Sequence, residues 1–202
     1  MPKVCKYEIR RPVEETVLDL KPACHRMIDL LAGVTNDQLT RPSPCTEYTV
    51  GDLIDHIDQV CRIFSALAYE ATGDLPATGS SLDAAHLGPD WRDSLAQHAL
   101  TLGKAWDEPA AWQGSTDRSG LELTNERWGK IALTELVVHG WDIAKATGQS
   151  FDLPEHTLQA CFDHVAEFVP NAPIPELWGP PVAASPEATL LDRIVAITGR
   201  TP

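Results

Sequence analysis

The sequence is short of positive charge. Its 202 residues hold 16 Lys and Arg against 29 Asp and Glu, a net charge of -13. A nucleic-acid partner needs a basic patch that can follow phosphates, and none is present. Also missing is an uninterrupted run of about 18 apolar residues, the length a membrane helix requires. The opening Met1-Pro2-Lys3-Val4-Cys5 lacks the apolar core of a signal peptide, so the cytoplasm is the expected location, with no membrane partner. The five cysteines are odd in number and include no Cys-x-x-Cys pair, which excludes a disulfide framework and a Cys-rich zinc site. There is no Gly-rich phosphate loop, no Gly-x-Ser-x-Gly elbow and no dinucleotide fingerprint.

What is present is helical periodicity. From Val13 to Ala32 apolar residues recur every three or four positions up to Gly33, with Pro22 either kinking this first helix or marking its true first turn after Asp19. Thr49-Val50-Gly51-Asp52 has the form of a capping box opening a second helix to about Ala71. On its wheel His56 falls near the middle of the apolar arc, with Asp55, Asp58, Arg62 and Tyr69 opposite. Residues 73–89 form a long loop suited to a lid. A third helix runs from Pro89 to Trp106 with Trp91, Leu95, Ala99, Leu102 and Trp106 on one face, and 107–124 holds short extended pieces near Trp112 and Leu121.

The fourth helix is expected from an Asn125 cap to Thr147, ended by Gly148. Its inner face gathers Trp128, Ile131, Ala132, Glu135, Val138, His139 and Asp142, with Thr134 outward. Val137 and Trp141 lie on the outer side, to be covered by the C-terminal segment or by a second subunit in a homodimer. A fifth helix follows Asp152, with His156 and His164 toward solvent, and is stopped by Pro170. After the proline-rich crossing 171–184, Ser185-Pro186-Glu187 caps a last helix closed by Gly199. The expected division is a bundle over 1–170 and a C-terminal extension over 171–202 packed upon it.

The chemistry concentrates in Thr134 to Asp142. Glu135 and His139, four residues apart, share one helix face, the spacing with which a carboxylate and an imidazole grip one divalent metal. A buried carboxylate needs a partner in any case, so a salt bridge or hydrogen bond is the competing reading. His56, on the apolar face of another helix, is the candidate third ligand. Asp142 is a candidate support for His139, a fourth ligand, or the end of a hydrogen-bond chain. Asp52 carries the same ambiguity beside His56, with capping as its structural role. Cys45 is either a thiol activated by the following helix or a small buried hydrophobe.

Two segments, Pro44-Cys45-Thr46-Glu47-Tyr48-Thr49-Val50-Gly51-Asp52-Leu53-Ile54-Asp55-His56 and Leu133-Thr134-Glu135-Leu136-Val137-Val138-His139-Gly140-Trp141-Asp142, resemble the mycothiol-dependent maleylpyruvate isomerase N-terminal family of the DinB-like superfamily, in its short form. The resemblance implies an all-α fold: an up-and-down four-helix bundle, here with an extra C-terminal helix after the proline-rich crossing. It also implies a divalent metal, usually zinc, on His56, Glu135 and His139, and a bacterial thiol, mycothiol above all, as cosubstrate. Three protein ligands leave open positions, as catalytic sites do. The expected function is a metal-dependent enzyme that activates a low-molecular-weight thiol for S-transfer to, or cis-trans isomerisation of, a small electrophilic metabolite. The alternatives are a thiol-independent metal-dependent isomerase, cyclase or hydrolase, and a non-catalytic, stress-related metal-binding bundle.

Overall fold

In the computed structural model, which describes residues 18–46, 48–70, 82–118, 120–172 and 178–202, the chain is all-α apart from one small hairpin. The helices are α1 (Lys21–Ala32), α2 (Val50–Ala68), α3 (Trp91–Ala105), α4 (Asn125–Thr147), α5 (Glu155–Phe168) and α6 (Leu190–Ile197). The antiparallel pair β1 (Ser115–Arg118) and β2 (Leu121–Thr124) sits between α3 and α4. Residues 13–17 of the expected first helix, most of the expected lid (73–81) and Pro173 and Pro175 of the crossing lie outside the described residues.

Helices α1 to α4 form a four-helix bundle in which α1 packs on α3 and α4, and α2 packs on the same two. The order around the bundle is therefore α1, α3, α2, α4. Its core is apolar and fully enclosed: Met27, Leu30, Leu53, Ile57, Leu102, Leu133 and Leu136 are all at most 1% exposed. Among the described residues, no helix is long and apolar enough to cross a membrane.

Pro22 occupies the first turn of α1, where a missing N–H costs nothing, which is the second of the two expected readings. Several starts and faces differ from those the sequence suggests. Thr124, not Asn125, caps α4, its hydroxyl accepting from the Arg127 N–H. Asn125 is taken up elsewhere: its amide donates to the Gln113 carbonyl at 2.6 Å and accepts from the Thr116 hydroxyl at 2.8 Å, tying the hairpin to the helix. Trp112 lies in a 3-10 turn (Pro109–Trp112), not a strand; it packs edge-on against Trp106, and both rings fill the space left by Gly129, where a Cβ would approach them to 2.7–2.8 Å. Thr189 and Asp192 cap α6 reciprocally, while Ser185 to Ala188 form a turn before it.

The largest difference concerns α4, buried on nearly every side. Thr134 (1%), Val137 (0%) and Trp141 (7%) are enclosed because α5 and α6 pack on what would otherwise be the outer face. That removes the ground for a second subunit on that surface. The same packing buries His164 to 6% exposure, stacked on Phe168 with ring centroids 4.9 Å apart, instead of leaving it in solvent. Its Nε2 has no partner among the described residues, and burial, with Lys130 nearby, pushes its pKa down to about 4.

The unfolded chain therefore takes up a proton on His164 that the folded chain refuses, and stability falls as pH drops from about 6.5 toward about 4. Between pH 7 and pH 5 the wild type should lose about 2 kcal/mol more than His164→Gln, measured by urea denaturation. Equal losses would show that His164 is protonated in the fold.

Candidate metal centre

The site is built from the first turn of α2 outward. Thr49 and Asp52 form the expected capping box, with the Thr49 hydroxyl accepting from Asp52 N–H and Asp52 Oδ2 accepting from Thr49 N–H. The loop before it folds back, so that Val50 N–H donates to the Arg41 carbonyl at 2.9 Å and Gly51 N–H to that of Leu39 at 2.8 Å. The free N–H groups of a helix start are satisfied in this way, and Cys45, Thr46 and Tyr48 are brought beside His56 in the wall of one cavity.

That cavity, about 530 Å³, also receives Glu135 and His139 from α4 and Trp178, Thr198, Gly199 and Arg200 from the C-terminal segment. His56 Nε2 stands 3.0 Å from Glu135 Oε2, and His139 Nε2 stands 3.1 Å from the same oxygen. The two imidazoles meet edge to face with centroids 4.9 Å apart. Sequence spacing alone joins Glu135 to His139; adjacency of α2 and α4 adds His56 from 79 residues away. His56 is less buried than its wheel position suggests, its side chain 27% exposed, because it stands at the cavity rim. Its neighbour Asp55 is buried to 6% instead of facing solvent, since the 3-10 turn Ala84–His86 covers it.

Behind His139 the polar chain continues. His139 Nδ1 donates to Asp142 Oδ2 at 3.0 Å. Asp142, 0% exposed, is met from the other side by Arg200, whose Nε donates to Oδ1 at 3.3 Å and Nη2 to Oδ2 at 3.0 Å. Arg200 Nη1 donates to the Thr198 carbonyl at 2.7 Å. Gly199 aims this arginine: its φ of +87° is in the left-handed region, and a Cβ there would lie 2.7 Å from the Gly179 backbone. Asp52 makes no such contact with an imidazole. Besides its cap it accepts from the Ala84 N–H at 2.9 Å through Oδ1, holding part of the cavity wall.

Electrostatics follow from this geometry. Burial acts to raise the Glu135 pKa, but hydrogen bonds from His139 and His56 outweigh it and hold the carboxylate well below its ordinary range. Burial acts to lower that of His139, but Asp142 and Glu135 win and raise it to about 9. Burial pushes the Cys45 thiol up to about 11 despite Arg200, so Cys45 is a poor nucleophile at neutral pH.

The donor set fits a divalent cation. One donor atom from each of His56, Glu135 and His139 lies within 4.8 Å of the other two. Asp142 accepts the hydrogen bond from His139 Nδ1–H, which leaves Nε2 as the atom able to ligate. A second group, Cys45, His139 and Asp142, meets the same distance limit, but Asp142 is already engaged by Arg200. The remaining histidines are elsewhere: His86 and His98 pair with Asp55 and Asp58, while His25 and His156 are exposed.

The closing Gly199-Arg200-Thr201-Pro202 resembles the ending of the family's shorter members, but the role of Arg200 had no signature, because an arginine after a helix-ending glycine shows nothing of a carboxylate 58 residues earlier. Removing it strands a buried charge. Arg200→Ala should cost about 3 kcal/mol or more in urea denaturation, and adding Asp142→Asn should recover part of that loss. A cost within about 0.5 kcal/mol would mean that solvent reaches Asp142.

Three comparisons bear on this arrangement. Residues 20–144 match the family model described as the mycothiol maleylpyruvate isomerase N-terminal domain, a span that includes His56, Glu135, His139 and Asp142 but not Arg200. Two uncharacterized proteins of Mycobacterium tuberculosis, from strains CDC 1551 / Oshkosh and H37Rv, are each 33% identical over 128 residues, covering 61% of this chain and 63% of their own length. The crystal structure of the mycothiol-dependent maleylpyruvate isomerase is similar with a TM-score of 0.58 at 18% identity, over 77% of this chain and 68% of that one, which supports the fold. The chain belongs to the mycothiol maleylpyruvate isomerase N-terminal domain family.

Proposed function

We propose that the chain is an enzyme that binds a divalent metal such as zinc through His56, Glu135 and His139, and uses it to activate a low-molecular-weight thiol of the mycothiol kind. The thiolate sulfur adds to one carbon of an activated carbon–carbon double bond of a small metabolite, and the π electrons move onto the adjoining electron-withdrawing group. Uptake of a proton from solvent by the resulting anion gives S-transfer; rotation about the former double bond, return of the electrons and expulsion of the thiolate give cis-trans isomerisation and restore the thiol. The observation that carries this reading is the convergence of three ligand atoms within 4.8 Å in the wall of one cavity of about 530 Å³. Family membership supplies the thiol as the candidate cosubstrate.

A bound cation would lower the pKa of the incoming thiol and keep its sulfur anionic at neutral pH. The protein's own groups do the rest. Asp142 holds the proton on His139 Nδ1 and Arg200 balances Asp142, so the imidazole keeps one orientation. Leu53, Leu82 and Trp178 give the cavity apolar walls that limit water around the sulfur. In this reading residues 1–170 are the metal-binding bundle, and the extension 171–202 closes the cavity through Trp178 and Arg200.

The test is a cobalt-substituted sample titrated with mycothiol or a small thiol analogue. About one metal per chain is expected, lost in His56→Ala and Glu135→Gln, together with a change in visible absorption on thiol addition. Full occupancy in His56→Ala would remove the site. Metal binding without any response to thiol would remove the thiol from the mechanism.

A further inference from the structure

One wall of the cavity is held by hydrogen bonds that do not involve the three candidate ligands. Leu82 lines the cavity beside His56, and the residues after it are fastened to the outer side of α2. Asp52 Oδ1 accepts from the Ala84 N–H at 2.9 Å, and Asp55 Oδ2 accepts from the Asp83 N–H at 3.2 Å. Asp55 Oδ2 is also met by His86 Nδ1 at 3.0 Å. Ala84 sits so close to α2 that a Cβ on Gly51 would come within 2.6 Å of its own. The Asp55 side chain is 8% exposed, whereas that of His86 is 51% exposed and open to protons from solvent.

His86 borders a separate cavity of about 310 Å³ on the other side of the turn, shared with Asp58, Asp90 and His98. His98 Nδ1 is engaged by Asp58 Oδ1 at 2.7 Å, so the charges facing His86 are chiefly Asp55 and Asp83, with Asp58 and Asp90 across the cavity. All four are acidic; among the described residues Arg62 stands 3.8 Å from Asp58 and His98 is paired with the same carboxylate.

We propose that residues 82–87 form a proton-controlled latch, in which the charge on His86 sets how firmly the Leu82 wall closes over the candidate metal centre. With His86 charged, the contact to Asp55 is an ion pair as well as a hydrogen bond, and charge-assisted bonds are roughly twice as strong as neutral ones. The hydrogen bond and charge of Asp55 raise the His86 pKa above its ordinary value. The latch is therefore fully made below that ordinary value, and it weakens as pH rises through the raised one. This rests on the cavity's construction and is independent of the reaction carried out there.

Cys45 is a reporter for the cavity, because it lines the same cavity as Leu82 while Cys24, Cys61 and Cys161 are buried. The experiment compares iodoacetamide alkylation of Cys45, followed by peptide mass spectrometry, in the full-length wild type and in His86→Gln. Taking the ratio of the two rates at each pH cancels the ionisation of the thiol itself. At about pH 6 the variant should react faster by on the order of three-fold, and by about pH 9 the ratio should fall to about one. A ratio that does not change with pH, whatever its value, overturns the proposal. His86 is half exposed, so the substitution leaves the core untouched.

Discussion

The buried carboxylate of Asp142 is the point on which the site depends. It lies in the middle of the molecule with no solvent contact, and it is tolerated there because His139 and Arg200 each donate to it. An ionised group in that position without donors would be expelled or neutralised. The two donors come from different parts of the chain. One belongs to the same helix, a turn earlier; the other arrives from beyond α6, past a glycine in the left-handed region. A single charge thus couples the orientation of an imidazole to the docking of the C-terminal segment.

Much of this was legible in the sequence, and the reasons differ by feature. The capping box at Thr49 and the left-handed Gly148 are local patterns, and local hydrogen bonding settles them. Glu135 and His139 are fixed on one face by the helix period. His56 was legible as a candidate third ligand, from its place within an apolar arc and from the family resemblance, and the packing of α2 against α4 brings it into contact with Glu135.

What stayed hidden depended on tertiary covering. Asp55 and His164 read as solvent-facing because a helical wheel knows one helix and not what later lies on it. The turn Ala84–His86 buries the first and the α5–α6 packing buries the second. Thr134 was misplaced for the same reason, a helix enclosed on all sides showing little amphipathic contrast, whereas Val137 and Trp141 are covered by the later part of the chain, one of the two expectations for them. The pairing of Arg200 with Asp142 was invisible because a long-range ion pair leaves no period in the sequence.

Asp55 and His56 are joined by a single peptide bond, yet one holds the cavity's outer wall and the other stands at its donor set. Consecutive residues of a helix point about 100° apart, so the two tasks share one rigid shaft and cannot be moved independently. Any substitution that rolls or slides α2 to improve one would disturb the other. Independent adjustment of the two tasks must therefore come from the segments packed around α2, not from the axial position of the helix itself.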